Sequence, residues 1–525
     1  YTSLKSILNN EFALNGISIS TKSLFIKDVI KFSRLFNNNP KLYIAEQLIK
    51  NGHVVADLNL EFDESGNIKN NYTLKGLVKD GQINFFKKYN FNKIEFIFKV
   101  DKKNFEFNDV KLSLNKKNIF VPKLIASNQN DKYLISGKLI TNNTVFSKKD
   151  INDLIDYKIT GLDINEISFD SENDFQFEIM KNLKIKNFDI QSNINLDNLN
   201  FDNPLKLKNF FPKIKENISF KDHKIRLEYQ KNNLSIRGMG NVLFQNEIDK
   251  IEYEINKKKK KTKFNTTLTI SKNSFNLKLL NYKKNEESDL ELKFQGEKDI
   301  NKKLIFNEIS LKEKKNSIFI QNLKLSNNRI DDISKVSLNY LDKDGFKNDL
   351  QIKKESKDYL IFGNSFNINK IIDEFLASES NKKSNFFSKN FKIVFDVRKI
   401  HLDQNNIINN LKGFAKIDKN EISELNLKSK YSDQNNLTLT IKTNDKEKIT
   451  TLYSQKAKPF ISRYKFIKGF EEGDLDFYSI NKDGKTNSIL KIDNFKIQEI
   501  PVLAKLLTLA SLQGIADLLT GEGIR

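Results

Sequence analysis

The chain reads as a mainly β protein of many short antiparallel strands, each apolar on one face and polar on the other. Three observations predict this: apolar residues recur with period two, Gly- and Asp-bearing turns separate the runs, and few segments carry a helical period.

The alternation comes first. Leu437, Leu439 and Ile441 alternate with Thr438, Thr440 and Lys442, and Leu290, Leu292 and Phe294 with Glu291, Lys293 and Gln295. Phe264, Thr266, Leu268 and Ile270 form another such face, as do Phe275, Leu277 and Leu279. Side chains on a strand point to opposite sides in turn, so each segment buries one face and wets the other. That pattern belongs to antiparallel sheet, not to the solidly apolar strands of a parallel α/β core. Turn residues lie between the runs: Asp63 to Asn67, Lys79-Asp80-Gly81, Asp342 to Gly345 and Lys482-Asp483-Gly484. Each supplies Gly or Asp where the backbone reverses.

Helical segments are few. Asn39-Pro40 opens one over Lys41 to Asn51, closed by Gly52, with Leu42, Ala45, Leu48 and Ile49 on one face. Others are predicted over Ile26 to Phe36 and Ile368 to Leu376. The clearest runs from Pro501 to Leu519, apolar round more than half its circumference, and so calls for burial against protein or lipid. The chain therefore divides into a mixed helix and strand segment (1–52), a long β region (53–455) and a C-terminal segment of strands plus helix (456–525).

At 525 residues the chain exceeds what one core normally fills, which favours several domains or a repeating architecture. The net charge of +22 raises nucleic acid or an anionic membrane as a partner. Only seven of the 89 basic residues are Arg, however, and the lysines are interleaved with 67 acidic residues along the whole length. Phosphate and base readers lean on the planar Arg fork, so nucleic acid is not expected. The densest run, Lys257 to Lys261, sits between strand-like segments as a solvated turn. No cysteine is present, which excludes disulfides and thiol chemistry, and no stretch reaches the roughly 18 apolar residues that span a bilayer. The chain starts without Met, and it reads as part of a longer protein.

Catalytic constellations do not emerge. His53, His223 and His401 lie far apart, without a second His at metal-ligand spacing. There is no Walker loop, dinucleotide fingerprint or nucleophile elbow, and Gly238-Met239-Gly240 reads as a strand bulge. Carboxylate pairs such as Asp331-Asp332, Glu286-Glu287 and Glu471-Glu472 read as solvated turn charges. No enzyme activity, cofactor or metal is expected.

The specific signal is C-terminal. A Gly-x-Leu strand (Gly473, Leu475) is followed by a strand ending in Phe495 and Ile497, and then by a helix closed by Gly-Glu-Gly. The helix carries Pro501, Leu503, Ala504, Leu506, Leu507, Leu509, Ala510, Ser511, Leu512, Gly514, Ile515, Leu518 and Leu519, ahead of Gly521, Glu522 and Gly523. This segment of about 65 residues resembles the C-terminal region of the AsmA-like proteins of Gram-negative envelopes, in particular the YhdP-like branch. The resemblance implies a periplasmic protein anchored in the inner membrane by a segment not present here, and an elongated, twisted antiparallel sheet forming an open groove. It implies that apolar strand faces hold the acyl chains of phospholipid moving between inner and outer membranes. Phe264, Leu268, Phe275, Leu277, Leu290, Leu292, Phe294, Leu437, Leu439 and Ile441 are then the candidate lining. Two other readings suit the same alternation: an assembly factor for outer-membrane proteins working through a strand edge, and an adhesin-like surface protein with closed cores.

Overall fold

The computed structural model describes residues 15–497 except 37–39, 64, 70, 86–88, 130, 155–161, 181, 183, 205, 301–302, 328, 373–388, 419, 445–446, 462–469 and 484. The helix predicted over Pro501 to Leu519, with the Gly-Glu-Gly that follows, lies outside the described residues.

The protein is mainly β. Among the described residues, twenty-eight strands form open, mostly antiparallel sheet, and a separate pair joins Asn276–Leu277 to Tyr282–Lys283. Two compact units divide the chain. The first holds Tyr1–Leu205, Lys215–Phe244 and Lys250–Lys259; the second holds Lys206–Ile214, Gln245–Asp249 and Lys260–Arg525. This division falls inside the stretch that the sequence presents as one β region.

In the first unit the strands follow one another as nearest neighbours. Ile49–Glu61 pairs with Thr73–Phe85, then come Tyr89–Val100, Asn104–Leu114, Lys117–Gln129, Lys132–Ser147, Asp163–Met180, Ile185–Asp202, Asn217–Gln230 and Asn233–Leu243. Gly16–Ser20 and Leu24–Phe25 pair with the other edge of Ile49–Glu61. In the second unit Lys261–Ile270 pairs with Leu290–Asp299, and the meander continues to Phe470–Lys482 and Lys485–Ile497. Among the described residues its one parallel step joins Asp358–Asn367 to Phe391–His401. Among the described residues no pairing returns from the last strand of a unit to its first, so neither unit closes into a barrel.

The helix over Ile26–Phe36 forms as predicted. The next one runs Pro40–Leu48, and Ile49 begins a strand instead of ending the helix. Gly52 (φ +136°) explains the switch: its Cα faces Gly81 so closely that an added Cβ would stand 3.0 Å from the Gly81 Cα. Lys79-Asp80-Gly81 is correspondingly no reversal. It lies within Thr73–Phe85 as a bulge, with Asp80 at φ +53° and the register slipping between Val78 and Gly81. Asp and Gly supply positive φ for a bulge as readily as for a turn. Asp342 does make its turn, accepting hydrogen bonds at Oδ1 from the amides of Asp344 and Phe346. Glu471 and Glu472 fall within the strand Phe470–Lys482, not in a turn.

Candidate functional site

Directly opposed residues of paired strands share a face, so the register can be followed from strand to strand. In the second unit one such line runs Phe294, Ile309, Ile320, Val336, Ile352, Ile361 and Phe395. It continues through Gly413, Leu427, Leu439, Leu452, Phe477 and Leu490. Thirteen consecutive strands each contribute an apolar residue or glycine. Moving one position along each strand gives the opposite face: Lys293, Ser310, Phe319, Ser337, Gln351, Phe362, Asp396, Lys412, Lys428, Thr438, Tyr453, Asp476 and Lys491. That line carries lysines, carboxylates and hydroxyls, with three aromatic exceptions.

The first unit has the same device. Ala56, Gly76, Phe98, Phe107, Leu124, Gly137, Phe175, Ile190, Tyr229 and Leu234 are opposed in series across ten strands. One position away stand Asp57, Lys75, Lys99, Glu106, Ile125, Ser136, Gln176 and Asp189. With strands about 4.8 Å apart, the strips extend along their sheets for roughly 40–45 Å in the first unit and 55–60 Å in the second.

Most members of both strips are half-buried; Phe98, Leu452 and Phe477 are buried. Water therefore reaches most of each apolar line; only towards the end of the second, where Leu439 and Leu490 pack against the buried Leu452, Ala457, Ile461 and Phe477, does it become core. In the second unit the adjacent line is dry: Leu292, Leu311, Ile318, Leu338 and Leu350 are all buried. Wide aromatic rings cover glycines on the facing strand. Phe98 lies over Gly76, Phe175 over Gly137 and Phe264 over Gly296, where an added Cβ would come within 2.6, 3.0 and 2.9 Å of the ring. Such glycines keep the apolar face continuous where a side chain would lift the ring away.

Beyond the dry line, loops fold over the sheet around a polar network. Glu313 accepts hydrogen bonds from Tyr282 Oη (2.6 Å), Ser288 Oγ (2.6 Å), the Asn285 amide (2.7 Å) and Asn316 Nδ2 (3.3 Å). Burial alone would push this carboxyl up, but these donors together hold it below the ordinary range. Lys284 is also buried, donating to the Ser271 and Asn285 carbonyls, and burial lowers its pKa. Asp249, held by Asn273 Nδ2 at 2.7 Å and the Ser271 amide at 3.1 Å, is pushed up by burial. These groups are satisfied inside the fold and face one another, as a structural network requires.

The predicted lining residues separate into three groups. Phe294 and Leu439 lie on the half-buried strip, and Phe264 and Leu268 are half-buried on the same face of Lys261–Ile270. Leu290, Leu292, Leu437 and Ile441 are buried core, Ile441 fully so between Leu425 and Thr450. Phe275 and Leu277 lie off the large sheet. Phe275 is buried against Phe211 and Phe210, ring centroids 5.3 and 6.5 Å away, and Leu277 belongs to the small separate pair. The apparent strand Phe275 to Leu279 is broken by a 3₁₀ turn at Lys278–Leu280. Of the C-terminal motif, Gly473 takes φ +87° with its carbonyl bonded by the Ala457 amide, Leu475 is fully buried, and Phe495 stacks on Phe470 at 5.4 Å. The first-unit strip does not stand out in the sequence. Its signal was present as alternation, as in Phe105, Phe107 and their polar neighbours, but only register joins such runs into a line.

His223 stacks on Phe220 at 4.9 Å with Nε2 2.9 Å from the Asn241 carbonyl, and His401 packs on Phe346 at 4.3 Å. Burial lowers the pKa of both. Among the described residues no three His, Cys, Asp or Glu side chains converge as metal ligands, and no helix is long and apolar enough to cross a membrane. Comparison with protein-family models, curated proteins and solved structures finds no match to this chain.

Proposed function

We propose that this chain is a conduit for phospholipid, its apolar strips carrying acyl chains while headgroups stay in water. The observation that supports the reading is the thirteen-strand line from Phe294 to Leu490, apolar throughout and half-buried at every strand but those of Leu452 and Phe477, backed by a polar line one residue away. An exposed apolar surface of this length is costly unless something apolar occupies it. Each methylene withdrawn from water contributes about 0.8 kcal/mol, so acyl chains are well suited to cover it. One lipid tail spans about half of a roughly 30 Å hydrocarbon core. A strip of 55–60 Å exceeds that several times over, which favours a track over a single-molecule pocket.

On this reading no covalent chemistry occurs and no cofactor is needed. The kinship suggested by the C-terminal motif adds a setting: the periplasm, with an inner-membrane anchor in the parent protein and the outer membrane as destination. A second reading, strand addition to a client, draws on the strand Lys485–Ile497, which pairs only with Phe470–Lys482 among the described residues. Lys485, Lys491 and Lys496 on that strand count against it, since lysines blunt an edge.

Photocrosslinking tests the conduit. A photoreactive residue at Leu439 or Ile352 should capture phospholipid in cells, and one at Thr438 or Gln351 should not. Absence of lipid adducts from the strip, or equal adducts from both faces, would sink the proposal. Phe294→Asp should block transport where Lys293→Asp is tolerated.

A further inference from the structure

Two short helices in the first unit are apolar where they should be polar. In Ile26–Phe36, Ile26, Val29, Ile30 and Ser33 are half-buried at helical spacing. The opposite stripe holds Asp28 and Lys31, 4.0 Å apart, but also Phe32 and Leu35, the latter 78% exposed. In Pro40–Leu48 the outward stripe is Pro40, Tyr43, Ile44 and Gln47, without a charge, and Tyr43 and Ile44 are about half exposed. The helices are clasped together: Arg34 pairs with Glu46 and lies 5.0 Å from the Tyr43 ring centroid. Around them the segment from Lys22 to Lys50 carries six basic residues (Lys22, Lys27, Lys31, Arg34, Lys41, Lys50) against two acidic ones (Asp28, Glu46).

We propose that this helix pair is a docking surface for an anionic phospholipid bilayer. Leu35, Tyr43 and Ile44 would enter the headgroup and acyl boundary, with lysines of the same segment on lipid phosphates. An exposed apolar stripe in a lysine-rich segment, with a tyrosine beside it, is the composition of helices that lie in a membrane interface. At eleven and nine residues the helices are far too short to span a bilayer. Their position fits the role. Both contact the strand Ile49–Glu61, which contributes Ala56, the first residue of the ten-strand strip. Docking there would set the end of the strip against the membrane, so the inference rests on the conduit reading for its purpose, though not for its test.

The test is flotation of the whole chain with vesicles of phosphatidylcholine alone or mixed with phosphatidylglycerol. The expected result is binding to the anionic vesicles only, weakened by salt, and reduced about tenfold or more in Leu35→Glu/Ile44→Glu. That double variant should still capture detergent-dispersed phospholipid at Leu439, whereas Phe294→Asp should still float. The two readings therefore fail separately. Since the chain has no cysteine, Leu35→Cys can be labelled with a water-soluble maleimide. Fast labelling in solution and protection by anionic vesicles support the proposal. Equal binding to both vesicle types, undiminished binding of the double variant, or slow labelling without vesicles would overturn it. The last outcome would show that this face is already covered in solution.

Discussion

The second unit contains side chains with essentially no exposure, among them Ile270, Leu290, Tyr340, Ile441, Ile461 and Leu475. In the first unit, among the described residues, only His223 is buried to that degree; Leu196 and Val242 come next. Both units carry a half-buried apolar strip with buried residues beside it, but in the first unit these are less fully buried and partly polar (Val78, Ile94, Val110, Val121 and the bonded pair Thr141 and Ser171), whereas the second has an unbroken apolar line and a network such as that around Glu313. The difference separates two tasks of apolar surface. The buried line stabilises the sheet, while the half-buried line remains accessible to something else. A sheet with less of the former must draw more of its stability from strand pairing, and from whatever occupies the latter.

The sharpest test of that contrast is a pair of truncations. Ile441→Ala should destabilise the second unit by about 2–5 kcal/mol, since a fully buried side chain leaves a cavity. Phe107→Ala, half-buried on the first-unit strip, should cost less, about 1–2 kcal/mol, because water already reaches the site. Hydrogen exchange on the strands Asn436–Asn444 and Asn104–Leu114 would report each unit separately. If Phe107→Ala proved the costlier, the strip of the first unit would be core.

Gly76→Ala probes the first unit differently. A Cβ there would stand 2.3 Å from the Val55 carbonyl oxygen and 2.6 Å from Phe98 Cζ. Backbone leaves no room to shift, so a loss of about 1–3 kcal/mol is expected, measured by urea denaturation. Phe98→Leu in the same chain should recover part of it if the ring is the main obstacle. No recovery would place the obstacle in the strand spacing itself.

Acid probes the network of the second unit directly. The Glu313 carboxyl is held below its ordinary value of 4.5. The stability it contributes is present above that value and is lost as pH falls through the lower folded pKa. Asp249 has the opposite sign: raised above 3.8 by burial, it contributes stability present below that value and lost as pH rises through the raised one. Glu313→Gln should flatten the acid limb of the second unit's stability curve, and Asp249→Asn should flatten the rise-side loss. An acid limb unchanged by Glu313→Gln would mean that the network is not what fails in acid.

How much of this was legible in the sequence depends on the link in question. Alternation at Leu290, Leu292 and Phe294 was enough to give strands with one apolar face, because period two is a local property. Accessibility was not legible. Leu437, Leu439 and Ile441 are equivalent by pattern, yet the outer two are core and the middle one is strip, a distinction that only the packing of neighbouring strands makes. Phe275 and Leu277 mimicked the period over too short a run, and a 3₁₀ turn took them off the sheet. The helix pair was visible, but its outward Leu35 and Ile44 were not, since sequence cannot tell which of two apolar stripes the sheet will cover.

The smallest effect expected is at Lys138, on the polar side of the first unit. Its ammonium meets Glu172 at 2.7 Å, and that hydrogen bond raises its pKa. Both side chains are solvent-exposed, so water and salt screen the pair and ordering two long side chains offsets the attraction. Lys138→Ala should leave urea denaturation and lipid capture at Leu439 unchanged. The reasoning bears on the whole outer face: if its lysines serve to keep a sheet with an accessible apolar side in solution, they act by number and no single one matters. A loss at Lys138 as large as that at Gly76 would mean that the first unit depends on specific pairs across its polar face. Its stability would then have to be sought there and not in strand pairing.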